Sequence, residues 1–329
     1  MPITFRANNV RVEYPGGTAE WGGRGVAYEQ NGFFLCMHGN DHGLRGISPG
    51  YAFTQRAVGP LEQWVTNVFG AADIRQTIFQ PGQCFQRLWR PGIDGLQPVQ
   101  STLAPSAGAL TQAAISLSLL LERLAALSQY VDLDERNLGV FSQQLRELLL
   151  LACIDVEVSF RAMFSLSVPE TTEDSRLTTG NYFRICEPFF LREYEVKLRH
   201  FPTLPGFRPF LAWDAARPTA SLPWFSAYNA IKHNREGALH RATLGACLNA
   251  LAAAAILYCA QFSIPGTGDG DWVHEPSYVL NRWFAVDLID ADPATFYVPP
   301  VAIPNDRTDR LWMFDGRNTA NWEPEIRAI

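Results

Sequence analysis

The residues best equipped for chemistry lie between Leu222 and Glu236, in the run Leu-Pro-Trp-Phe-Ser-Ala-Tyr-Asn-Ala-Ile-Lys-His-Asn-Arg-Glu. On a helix, Trp224, Tyr228 and Ile231 fall at i, i+4 and i+7 and form an apolar anchoring face. Asn229, Lys232, His233 and Glu236 fall at i, i+3, i+4 and i+7 and form a second, polar strip. An ammonium, an imidazole and an amide on one strip can hold a phosphate. The same strip also suits a solvated helix face, and spacing alone favours that reading. Arg235 adds a guanidinium beside the strip.

A second set of ionisable groups sits in the apolar run from Leu148 to Arg161. Asp155 and Glu157 are two residues apart, about 200° on a helical wheel, so they cannot face one solvent groove together. A buried carboxylate needs a partner or a raised pKa. Arg161 follows Glu157 by four residues and can pair with it on the same helix. Lys232, His233 and Arg235 are the other candidate partners. A polar clamp between two helices and a functional site both fit this pattern.

The long helix with an acidic residue amid leucines, the mixed segment after it, the Tyr-Asn-x-x-Lys-His block and the following Ala-rich helix resemble the HEPN superfamily of helical, prokaryote-rich domains. More narrowly, Leu222 through Gly237 and then Arg241 through Leu244 resemble a block shared by bacterial proteins, mostly uncharacterised. The resemblance covers roughly residues 130–262. Many HEPN proteins are metal-independent ribonucleases of toxin–antitoxin and antiphage systems, which implies a role in bacterial defence. Their motif, Arg-Asn-x-x-x-His, falls on Tyr228, Asn229 and His233 here. The resemblance implies His233 as general acid or base on RNA. Asn229 with Lys232 or Arg235 would hold the phosphate. Tyr228, Glu157, Asp155 and Arg161 would support them. It also implies a homodimer that pairs two motifs, with no metal or other cofactor.

One position departs from that pattern. Tyr228 stands where the motif has Arg, the residue expected to stabilise the phosphorane charge. The departure favours a domain that binds RNA or a nucleotide over an active ribonuclease using His233. A structural or interaction protein with no nucleic-acid role is the third reading. A second fit to the motif spacing, Arg235 to His240, has a Glu after the Arg and reads as accidental.

The segment Met37-His38-Gly39-Asn40-Asp41-His42-Gly43 spaces two imidazoles as a metal-binding helix would. Its glycines argue for a polar turn instead. The chain has no Walker A loop, no G-x-G-x-x-G, no kinase signature and no Cys/His zinc framework. Trp312, Phe314 and Trp322 near the C-terminus read as aromatics that dock a tail on its own domain.

The elements that must position the block follow from periodicity. Ten glycines fall between Gly16 and Gly50, and the first 105 residues read as short strands and loops with one helix, Leu61–Phe69. Helices are expected over 106–130 and 137–165, the second apolar all round and therefore central to a bundle. Asn181–Phe190 reads as a short helix and Glu193–Arg199 as a strand. A helical pair is expected over 223–264, with Pro223 at the first helical position. The predicted fold class is mainly α: a HEPN-like helical bundle core with irregular, partly β N- and C-terminal segments. The predicted divisions are 1–105, 106–264 and 265–329.

Composition bounds the rest. The chain has 329 residues, 47% hydrophobic and 18% charged, enough to bury a large core. The net charge of −6, with no strongly basic segment, excludes a broad electrostatic footprint for DNA or RNA, so any nucleic-acid contact must come from a local pocket or an assembled oligomer. Six cysteines without a C-x-x-C pair read as buried free thiols in a reducing cytosol. The N-terminus has no apolar h-region, and Ala242–Ile264, dominated by Ala, reads as a buried core helix rather than a membrane span. A cytoplasmic location with no membrane partner is expected.

Overall fold

The computed structural model describes residues 1–14, 17–41, 47–77, 80, 83–88, 107–168, 171, 176–234, 237–262, 280–289, 311–314 and 325–326. The chain divides into two compact units. The first comprises Met1–Cys84, Arg90–Leu103 and Ala291–Arg327. The second comprises Phe85–Trp89, Ala104–Asp290 and Ala328–Ile329.

The first unit overturns the expected fold class. Its N-terminal residues build long strands: β1 (Ile3–Tyr14), β2 (Gly17–Gln30), β3 (Phe33–Asp41) and β4 (Ile47–Arg56). With β5 (Ala71–Gln76) and β9 (Leu311–Phe314) they form a six-stranded antiparallel sheet in the order β5-β1-β2-β3-β4-β9. The chain is therefore not a helical bundle with irregular ends. The physical reason lies in the glycines, which read as turn signals but sit inside strands. Gly25 of β2 is in register with Phe5 of β1, and a Cβ there would stand 2.1 Å from Phe5 Cζ. The missing side chain leaves room for the ring, so the glycine is a packing residue and not a breaker. The segment read as a polar turn, Met37–Asp41, belongs to β3, where His38 is paired with Tyr51; His42 and Gly43 lie outside the described residues.

The helix α1 (Leu61–Phe69) packs on this sheet. Trp64, Val65 and Phe69 meet Ile3, Phe5, Ala27, Phe34 and Cys36, and the Phe34 and Trp64 ring centroids are 5.1 Å apart. The helix ends at Gly70, whose left-handed backbone (φ 60°) lets its N–H reach the carbonyls of Val65 and Thr66. Gln83–Cys84 (β6) pairs in parallel with Glu325–Ile326 (β10).

The second unit contains α2 (Ala107–Leu127), α3 (Gln143–Ser167), the single turn α4 (Thr179–Tyr182), α5 (Pro223–His233) and α6 (Leu244–Phe262). An antiparallel pair, β7 (Tyr194–Leu198) and β8 (Phe284–Leu288), lies beside them. Ser142 caps α3 by accepting from the Leu145 N–H at 3.2 Å. The central helix is α6, not the leucine-rich α3. Every residue from Ala250 to Gln261 is buried, and its small alanines let neighbours pack close on several sides. In contrast, α3 leaves Leu151, Ile154 and Val158 at 38%, 49% and 62% exposure. Both α2 and α6 contain stretches long and apolar enough to cross a membrane, of which 33% and 83% are buried within the protein.

Candidate functional site

Helix α5 is set by its ends and its apolar face. Pro223 occupies the first turn, where a missing N–H costs nothing. Trp224 is buried and its indole N–H donates to the Pro209 carbonyl at 3.0 Å. Phe225, Tyr228 and Ile231 are buried as well. At the other end the Asn234 N–H donates to the Ala230 carbonyl. The Asn234 side-chain oxygen then accepts from the Gly237 N–H at 2.9 Å, which turns the chain. Arg235 and Glu236 lie outside the described residues.

Tyr228, at the position of the motif Arg, is withdrawn from solvent at 1% exposure. Its hydroxyl donates to Glu157 Oε2 at 2.8 Å, joining α5 to α3. Lys232 Nζ in turn donates to the same hydroxyl at 3.2 Å and lies 5.1 Å from the ring centroid. The phenol thus accepts from an ammonium while donating to a carboxylate. Burial, and then the Glu157 carboxylate, push the Tyr228 hydroxyl well above the usual phenol range, so it stays protonated. Arg161 hydrogen-bonds the Tyr182 hydroxyl on α4, and Glu157 acts on that phenol too. Asp155 faces the other way, accepting from the Ser116 hydroxyl of α2, with its carboxyl pushed up by burial. The two carboxylates therefore tie α3 to different helices.

Outside this clamp the polar strip faces solvent. Lys232 and His233 are exposed and Asn229 is half-buried. Among the described residues, the Asn229 and His233 side chains make no hydrogen bond. The structure therefore divides the expected site. Tyr228 and Glu157 are fastened together with Lys232 at their rim, while Asn229 and His233 remain available to a ligand. Ser116 and Tyr182 were not singled out by sequence reasoning, because nothing local marks them as partners of Asp155 and Arg161. Arg241 was also missed as a site residue. Its guanidinium meets α5 at Ser226, with Nη2 to Oγ at 3.1 Å. The one signal for it was its place in the Arg-Ala-Thr-Leu stretch that follows the block.

Among the described residues no cluster of three or more His, Cys, Asp or Glu could hold a metal ion. The five described cysteine side chains, Cys36, Cys153, Cys186, Cys247 and Cys259, are free and buried. No family model, curated protein or solved structure matches the chain.

Proposed function

We propose that the second unit binds RNA or a nucleotide through the solvent-facing strip of α5, and does not cleave it. The observation that carries this reading is the pair Asn229 and His233, exposed or half-exposed beside the Lys232 ammonium and, among the described residues, without a side-chain hydrogen bond. Polar groups with no internal work, next to a cation on an ordered helix, are free to meet a phosphate. The resemblance of residues 130–262 to HEPN domains supplies the ligand class, and a homodimer in a bacterial defence setting belongs to the same proposal. Catalysis is left out because Tyr228 is fastened to Glu157 at 2.8 Å. A protonated phenol held by a carboxylate brings no positive charge to a phosphorane.

The test compares wild type, His233→Ala and the double variant Lys232→Ala/His233→Ala. All are checked for equal thermal stability, then assayed for RNA binding and for RNA cleavage in EDTA. Binding by wild type, weakened in the double variant and without cleavage, is the expected result. Cleavage lost in folded His233→Ala would establish a metal-independent ribonuclease instead. Equal binding by all three proteins, or none by any, refutes the α5 site and leaves Tyr228, Glu157 and Lys232 as a clamp only.

A further inference from the structure

The solvent-facing strip of α5 extends beyond the Asn-x-x-Lys-His block. Ser226, Asn229 and His233 stand at i, i+3 and i+7 and share one side of the helix. Arg241 is brought onto the Ser226 end of that side by the short 3-10 turn Leu239–Arg241. The backbone around it is held firmly. The Arg241 N–H donates to the Ala238 carbonyl at 3.0 Å, and the Leu244 and Gly245 N–H groups donate to Val140 and Leu138 at 2.8 and 2.9 Å. The approach is close at Gly245, where a Cβ would stand 3.2 Å from the Leu138 oxygen. Among the described residues the guanidinium has no carboxylate partner, unlike Arg75, Arg136 and Arg217. One of its N–H donors goes to Ser226, and among the described residues the others meet no side-chain acceptor.

Seven residues of helix separate Ser226 from His233, a span of about 10 Å. That is too far for one phosphate to bridge both ends. We propose that Arg241 and His233 grip successive phosphates of one strand, with Asn229 between them. The ligand is then an oligonucleotide, single-stranded RNA with at least two successive phosphates, and not a mononucleotide. Arg241 supplies a planar fork that can bind phosphate oxygens in pairs, and Ser226 holds that fork in place before the strand arrives. This inference rests on the α5 reading of the preceding subsection and narrows its ligand class.

The experiment uses the full chain and a fluorescein-labelled oligouridylate 12-mer, read by anisotropy across a salt series. UMP and the dinucleotide pUpU serve as unlabelled competitors. Arg241→Gln is expected to weaken binding about tenfold. It should also flatten the slope of log affinity against log salt by about 0.7, one phosphate contact on a single strand. Ser226→Ala, which leaves the guanidinium in place but untethered, is expected to weaken binding about threefold. It keeps the test decisive if Arg241→Gln fails to fold. The dinucleotide should compete at lower concentration than UMP. If RNA binds, Lys232→Ala/His233→Ala weakens it and Arg241→Gln does not, the two-point grip is overturned while the α5 site stands. Equal competition by UMP and pUpU has the same meaning. A wild type that binds no oligouridylate overturns both.

Discussion

Tyr228→Phe removes one hydroxyl from the junction of α3 and α5 and little else. The ring keeps its packing, including the Phe225 ring at 5.4 Å between centroids. What is lost is the hydrogen bond to Glu157 at 2.8 Å and the acceptor for Lys232 at 3.2 Å. A hydrogen bond to a charged group contributes about 1.5–3 kcal/mol. Glu157 is half-buried, so water can partly replace the phenol, which puts the expected loss at about 1.5–2 kcal/mol. For a unit of this size that lowers Tm by about 3–8 °C. The assay is urea denaturation of wild type and variant followed by far-UV circular dichroism. The pH dependence gives a second, independent readout. The folded state raises the Tyr228 pKa above its unfolded value, so the associated stability is complete below about pH 10 and is lost as pH rises toward the folded pKa. The slope from this one group is at most about 1.4 kcal/mol per pH unit. The variant lacks it, so the gap between the two proteins narrows in alkali. A gap below about 0.5 kcal/mol at pH 7, or one that widens above pH 10, would refute the claim that this phenol ties the two helices.

Two further predictions concern other parts of the chain. Gly25→Ala places a methyl group where the Phe5 ring lies and is expected to destabilise the sheet unit by about 1–3 kcal/mol, measured by the midpoint of its denaturation transition; an unchanged midpoint would contradict the packing described for β1 and β2. Asp155→Asn keeps an acceptor for Ser116 without a buried charge. Because burial raises the Asp155 pKa in the folded state, wild type gives up stability as pH rises through that pKa. The variant is therefore expected to melt higher than wild type at pH 7, with the advantage fading in acid; equal melting temperatures at both pH values would refute it.

The helices were largely legible in the sequence. Leu61–Phe69 carries its own apolar spacing, Pro223 marks the start of α5, and α6 falls within the expected helical pair. The spans differ where tertiary contacts override local preference. The α3 helix starts after Ser142 and not at 137, because Phe141 bridges to Thr243 before the helix can begin. The fold class was misread because a glycine's role in a strand depends on what lies across from it. Gly25 reads as a breaker until Phe5 is known to sit opposite. The choice of central helix failed for a related reason: runs of leucine mark hydrophobicity, but the alanines of α6 mark close approach. At the site, the polar strip on α5 was visible from spacing alone. The fastening of Tyr228 to Glu157 was not, since 71 residues separate them. The approach of Arg241 to Ser226 likewise depends on a turn whose course no local pattern specifies.

The pairing of β4 with β9 bears on how the chain is made. Strand β4 is synthesised early, yet its neighbour Leu311–Phe314 comes only after the helical unit has been translated through Asp290. At ordinary elongation rates the interval is on the order of ten seconds or more. Throughout it the nascent sheet presents an unpaired edge near the ribosome, a template for pairing with other chains. The helical unit can meanwhile complete its own core. Loss of the last fifteen residues, 315–329, would leave the residues of that pairing in place, whereas a stop before residue 311 would fix the open edge permanently. Early termination should therefore send this protein to aggregates or chaperones even though every residue of the α5 site has been made.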